Sequence, residues 1–150
     1  MKGIYILILE MKEEKNINVG KLGRFIFERS YYAYVGSAMS GIHRLKRHLT
    51  NLKRKRIENK HWHIDFILPC CQLVEWFFVE CSEVGKEERL ATYLSKKLDY
   101  VEGFGASDSR APSHLFKVLE LNKLKKEVIK ALKFIGADNF RNSIEPEYNS

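Results

Sequence analysis

Residues 4–11 are apolar almost without interruption, which fits a strand covered on both faces at the centre of a sheet. A polar turn over 13–18 leads to Val19 and then to Phe25-Ile26-Phe27, with Gly20 and Gly23 marking a bend, so a second strand is expected there. Over 31–37 the period is two: Tyr32, Tyr34 and Gly36 fall on one side, Tyr31, Ala33 and Val35 on the other. These three strands predict an antiparallel meander in which the second lies between the first and the third.

Ser40 stands where an N-cap belongs, ahead of Ile42, Leu45, Leu49 and Leu52 at helical spacing, and that stripe should face the core. Arg44, His48 and Asn51 share a different stripe of the same helix, close to the end of the Tyr34 strand, because side chains three or four residues apart are neighbours. Residues 61–69 fit neither period cleanly. Residues 73–79 are aromatic and β-branched and read as a strand. Residues 87–98 predict a helix with acids at its start and Leu90, Tyr93, Leu94 and Leu98 as its apolar stripe. A loop over 103–112 precedes a last strand at 115–119. Asn122 is placed to cap a final helix that runs to Ile135 and closes at Gly136.

This succession is an α/β chain of the α+β kind: a small, central, mostly antiparallel sheet flanked by helices. At 150 residues it can hide about 70% of its unfolded surface, enough for one core without disulfides. One domain is expected over 1–136, followed by a polar tail over 137–150.

Charge adds a location. Of 26 Lys and Arg, eight lie between positions 44 and 60 (Arg44, Lys46, Arg47, Lys53, Arg54, Lys55, Arg56, Lys60) against the single acid Glu58. That surplus equals the whole net charge of +7, so the rest of the chain is balanced. A concentrated basic stripe beside aromatic and hydroxyl side chains fits a phosphate backbone. No amphipathic anchor or lipidation motif accompanies it, so nucleic acid is favoured over a membrane. Cys70, Cys71 and Cys81 are odd in number and include an adjacent pair, unlike a disulfide framework. The apolar run at 4–9 is too short for a membrane span, and a cytoplasmic protein is expected.

The candidate chemistry is phosphodiester hydrolysis. That reaction needs a nucleophilic water, stabilisation of charge on the phosphoryl oxygens and help for the departing oxygen. Tyr5 and Tyr34 come from two strands, and Arg44 and His48 follow one turn apart on a helix. The Arg44 guanidinium can fork two hydrogen bonds onto phosphate.

Gly3-Ile4-Tyr5, Tyr34-Val35-Gly36, and then Arg44 and His48 resemble the motifs of the GIY-YIG nucleases. The runs Tyr34-Val35-Gly36-Ser37-Ala38, Arg47-His48-Leu49, Trp62-His63-Ile64-Asp65-Phe66, Gly103-Phe104-Gly105, Ser107-Asp108 and Ser113-His114-Leu115-Phe116 are similar to one branch, the archaeal-type Uri superfamily endonucleases. Two departures stand out: Ser109 and Ala111 occupy the stretch where relatives usually carry cysteines, and the late asparagine of other GIY-YIG nucleases has no clear counterpart.

The resemblance implies a GIY-YIG endonuclease fold with a short helix at 61–69. It also implies a metal-dependent DNA endonuclease acting in DNA repair or on structured DNA. Tyr5 would activate or position water, Tyr34 would position water or phosphate, and Arg44 would clamp the transition state. His48 would shuttle a proton or touch phosphate. Glu87, in the Glu87-Glu88-Arg89-Leu90-Ala91 register, would hold Mg²⁺ or Mn²⁺, with Glu88 as the alternative. Ser37, Arg47, Lys53, Arg54, Lys55, Arg56 and Lys60 would bind DNA. His63, Asp65, Asp108 and His114 match the branch without a defined role. Two other readings stay open: a non-catalytic nucleic-acid binder on the same scaffold, and a zinc hydrolase built on His61, His63 and Asp65.

Overall fold

The computed structural model describes residues 2–55, 57, 59–137 and 139–143. Arg56 of the basic stripe and residues 144–150 of the polar tail lie outside the described residues. The chain forms an α+β fold with a six-stranded antiparallel sheet whose strands lie in the order β6 (Asp99–Tyr100), β7 (Leu115–Val118), β4 (Ser30–Ala38), β1 (Gly3–Met11), β5 (Gln72–Glu80) and β8 (Arg141–Asn142). The long strands are β1 (Gly3–Met11), β4 (Ser30–Ala38) and β5 (Gln72–Glu80), and β1 lies between the other two, as its apolar run requires.

The expected meander is not formed. β2 (Lys15–Asn18) and β3 (Arg24–Phe27) pair only with each other as a separate two-stranded sheet, and β4 hydrogen-bonds directly to β1. The reason lies in composition: β2 is polar and largely exposed, so it offers no second apolar face to a central position. The direct pairing sets Tyr5 opposite Gly36. A Cβ on Gly36 would stand 2.2 Å from the Tyr5 ring and 2.4 Å from its hydroxyl, so only glycine lets that ring lie on the neighbouring strand. Gly3 is similarly constrained, since a Cβ there would meet the Val79 carbonyl oxygen at 2.1 Å.

α1 (His43–Arg54) follows β4. Its cap position is Ile42 with no side-chain cap, and Ser40 does not serve. β4 runs on to Ala38, and the Gly41 amide bonds back to the Ala38 carbonyl at 3.0 Å, so Ser40 is spent in that turn. Two short 3₁₀ turns, His63–Phe66 and Leu68–Cys70, fill the ambiguous segment. α2 (Lys86–Ser95) precedes the two-residue strand β6 (Asp99–Tyr100) and β7 (Leu115–Val118). α3 (Leu121–Phe134) begins one residue before Asn122, which therefore sits inside the helix, and Glu120 takes the cap position without a side-chain bond. β8 (Arg141–Asn142) comes from the segment read as tail and pairs with Phe77 and Phe78 of β5, while Phe140 packs on Phe77. Among the described residues no helix is long and apolar enough to cross a membrane.

The sheet divides the interior in two. Ile4, Ile6 and Ile8 of β1 join Val35, Phe77, Leu90, Leu94, Val128 and Leu132 beneath α2 and α3. Tyr5, Leu7, Leu9 and Met11 join Tyr34, Leu45, Leu52, Ile64 and Phe104 beneath α1, the 3₁₀ turns and the β2–β3 hairpin. The period of two along β1 thus sends every tyrosine of the two motif strands except Tyr31 to the second side.

Candidate active site

Tyr34 is the outermost of the buried tyrosines, with 7% of its surface exposed, and it lines a cavity of about 520 Å³. Ser37, Arg44, Trp62, Glu87 and Asp108 share its wall, so β4, α1, the 3₁₀ segment, α2 and the loop before β7 converge there. The sequence-selected residues Tyr34, Ser37, Arg44, Glu87, His63, Asp108 and His114 all line it; Tyr5 and His48 do not.

Arg44 is fixed by two contacts. Its Nη1 donates to the Ser37 carbonyl at 3.1 Å and its guanidinium lies over the Trp62 ring at 4.4 Å, while its buried Nε has no protein acceptor. Arg47 stacks on the same indole at 4.8 Å, donates to the Asn59 carbonyl at 2.9 Å and approaches Asp65 Oδ2 at 3.6 Å. Trp62 therefore holds both guanidiniums, a role that sequence reasoning missed. The signal available was its place at the head of the Trp62-His63-Ile64-Asp65-Phe66 run.

Tyr5 is fully buried, and its hydroxyl meets His48 Nε2 at 2.8 Å. Burial, and then the neighbouring Tyr34, push the Tyr5 phenol well above its ordinary range, with Arg44 opposing. Burial also raises Tyr34, with Glu87 adding to it, so both remain phenols at neutral pH. His48 is completely buried too, and burial lowers its pKa to about 4 even though Asp65 favours the charged form. His48 is thus a neutral imidazole near pH 7. Its Nδ1 faces Asp65 Oδ1 at 3.9 Å.

Glu87 opens α2 in the register expected, and burial, reinforced by Asp108, raises its pKa to about 7. Glu88 is engaged elsewhere: its Oε1 accepts the Arg110 amide. Among the described residues, Glu87 and Asp108 are the two carboxylates on the cavity wall, opposite in charge to Arg44 on the same wall.

The His61, His63 and Asp65 set does not make a zinc site. His63 Nδ1 accepts the Gly105 amide at 2.8 Å, and Asp65 Oδ2 accepts the His61 and Trp62 amides at 2.8 and 3.0 Å. Among the described residues no group of three or more His, Cys, Asp or Glu side chains is placed to hold a metal ion. His114 ties strand to loop, donating through Nδ1 to the Val35 carbonyl at 3.1 Å and accepting the Ser109 hydroxyl at 2.9 Å. Burial lowers the pKa of both His63 and His114.

The basic stripe divides. Lys53 and Arg54 are exposed at the end of α1, and Lys60 lies 5.8 Å over Phe66. Arg47 is committed as described, and Lys55 donates to the Cys71 carbonyl. No curated protein and no solved structure matches the chain significantly. The family model of the domain of unknown function DUF123 matches residues 4–137, nearly all of the sheet and the three helices, and the chain belongs to that family.

Proposed function

We propose that this protein is a divalent-metal-dependent DNA endonuclease of the GIY-YIG type, and that the cavity beside α1 is its reaction centre. The carrying observation is the convergence of Tyr34, Arg44 and Glu87, drawn from three separate elements, on one cavity at the first turn of α1, the helix whose far end carries Lys53 and Arg54. Arg44 is pre-oriented by the Ser37 carbonyl and the Trp62 ring and lines the cavity, so its guanidinium supplies positive charge for a phosphoryl oxygen. Tyr34 keeps its proton at neutral pH, so its hydroxyl serves as a hydrogen-bonding group that orients water or phosphate.

Tyr5 acts from behind, since it is buried and does not line the cavity. Glu87, with Asp108 beside it, would hold Mg²⁺ or Mn²⁺, which supplies charge neutralisation and a more acidic water. The elevated pKa of Glu87 makes its affinity for the cation rise as pH increases through about 7. Lys53, Arg54 and Lys60 would follow the DNA backbone.

The test is incubation of the purified protein with flapped, branched, nicked and plain duplexes, with Mg²⁺ and with EDTA. Metal-dependent cuts are expected, strongest on a structured substrate. Tight DNA binding without cuts on any substrate would favour the alternative, a nucleic-acid binder that keeps the scaffold.

A further inference from the structure

Behind the cavity wall, three side chains from three elements meet with no exposed surface: Tyr5 from β1, His48 from α1 and Asp65 from the first 3₁₀ turn. Tyr5 Oη and His48 Nε2 are 2.8 Å apart. His48 Nδ1 and Asp65 Oδ1 face each other 3.9 Å apart, and neither atom has a hydrogen-bond partner. The other oxygen of Asp65 is held by the His61 and Trp62 amides, with Arg47 at 3.6 Å, so the carboxylate cannot turn away.

A neutral imidazole has one N–H and one lone pair, and the partner of one nitrogen decides the role of the other. A lone pair on Nδ1 would face a carboxylate oxygen and repel it. An N–H there is attracted to that oxygen, and it leaves Nε2 as the acceptor. We infer that Asp65 is a positioning residue that fixes His48 in the Nδ1–H form, so that Tyr5 donates its hydroxyl proton to His48 Nε2. The Tyr5 oxygen then presents only lone pairs to the groups around it; the Tyr5 ring lies beside that of Tyr34, centroid to centroid 6.3 Å, and Tyr34 lines the cavity. The inference gives Asp65, matched by sequence but without a role, the part of an orienting acid in an acid–imidazole–hydroxyl chain. Its link to catalysis rests on the nuclease reading above; its tautomer does not.

Two readouts separate these. In the full-length protein labelled with ¹⁵N-histidine, long-range ¹H–¹⁵N correlation should show His48 protonated at Nδ1 and bare at Nε2. Asp65→Asn keeps an oxygen for the His61 and Trp62 amides but turns an NH₂ toward His48, and the proton should move to Nε2. Under single-turnover conditions the same variant should cleave roughly 10²- to 10⁴-fold more slowly with unchanged DNA affinity. A wild-type His48 carrying its proton on Nε2 overturns the inference without any need for the variant to fold. An unaltered tautomer in Asp65→Asn overturns it as well, and an unaltered cleavage rate in that variant, where the wild type cuts, overturns its link to catalysis. If the wild type shows the Nδ1–H form and cuts no DNA, the nuclease reading fails while the assignment of Asp65 stands.

Discussion

The two sides of the sheet are built from alternate residues of the same strands, yet they carry different chemistry. On the α2–α3 side β1 contributes Ile4, Ile6 and Ile8, and the packing partners are overwhelmingly aliphatic. The buried acid of that region, Glu75, is ion-paired to Lys125 of α3 at 2.7 Å. On the α1 side the same strand contributes Tyr5, and the buried set includes Tyr34, His48, Asn51 and Asp65. Among the described residues, buried side-chain polar atoms without a hydrogen-bond partner concentrate there: Arg44 Nε, His48 Nδ1, Asn51 Nδ2 and Asp65 Oδ1, whereas Glu75 Oε1 on the other side has its cation, Lys125, at 2.7 Å. Each such atom costs about 1–3 kcal/mol, a cost difficult to reconcile with packing alone. The difference teaches that one face stabilises a scaffold and the other stores unmet polar capacity beside a cavity.

The largest effects should separate the faces. Phe77→Ala, on the helical side, should cost about 3–5 kcal/mol in denaturant unfolding, while the folded fraction keeps the parental cleavage rate. Tyr34→Phe should leave stability nearly unchanged and slow cleavage by roughly 10²- to 10⁴-fold. A variant pair in which Phe77→Ala slows the chemical step as much as Tyr34→Phe would erase the distinction.

Acid should reveal the tyrosine side next. His48 is lowered from 6.5 to about 4, so its contribution to stability is complete above pH 6.5 and disappears as pH falls through 4; it amounts to something on the order of 3 kcal/mol. His63 and His114 act in the same direction. Glu87, raised to about 7, acts oppositely: its protonated form favours the fold, so that contribution is present at low pH and is lost as pH rises through 7. The difference in unfolding free energy between wild type and His48→Gln, measured from pH 7 to 4, isolates the imidazole and should shrink toward low pH. A constant difference would mean that His48 is not desolvated.

The smallest effect belongs to the exposed end of α1. Replacing Lys53 and Arg54 with serine should reduce the slope of log affinity against log salt by about 2, if each meets one phosphate. Lys55→Ser should change the slope less, because that ammonium is already bonded to the Cys71 carbonyl. Equal changes would mean that the Lys55 contact opens on DNA.

Much of this contrast was legible in the chain. The unbroken apolar run placed β1 at the centre, and the motif glycines found their reason in the close approach of Tyr5 to Gly36 and of Gly3 to Val79. Glu87 fell at the head of α2 and on the cavity wall. Strand partnership was not legible, because a local pattern gives the faces of β3 but not which strand it pairs with. β6 and β8, at two residues each, are too short for any period to register. The caps at Ser40 and Asn122 failed because the flanking turn and helix took those residues first. The interior position of Tyr5, and the hold of Trp62 on two arginines, depend on contacts between segments distant in sequence.

Whether the tyrosine face is a reaction centre is tested most directly by Arg44→Ala, with single-turnover cleavage of a flapped duplex in Mg²⁺ and equilibrium DNA binding measured side by side. The account predicts a loss in cleavage of about 10³-fold or more with affinity within a few-fold of the parent, because the guanidinium acts on charge that develops in the transition state. Equal losses of cleavage and binding, or cleavage at the parental rate, would contradict it.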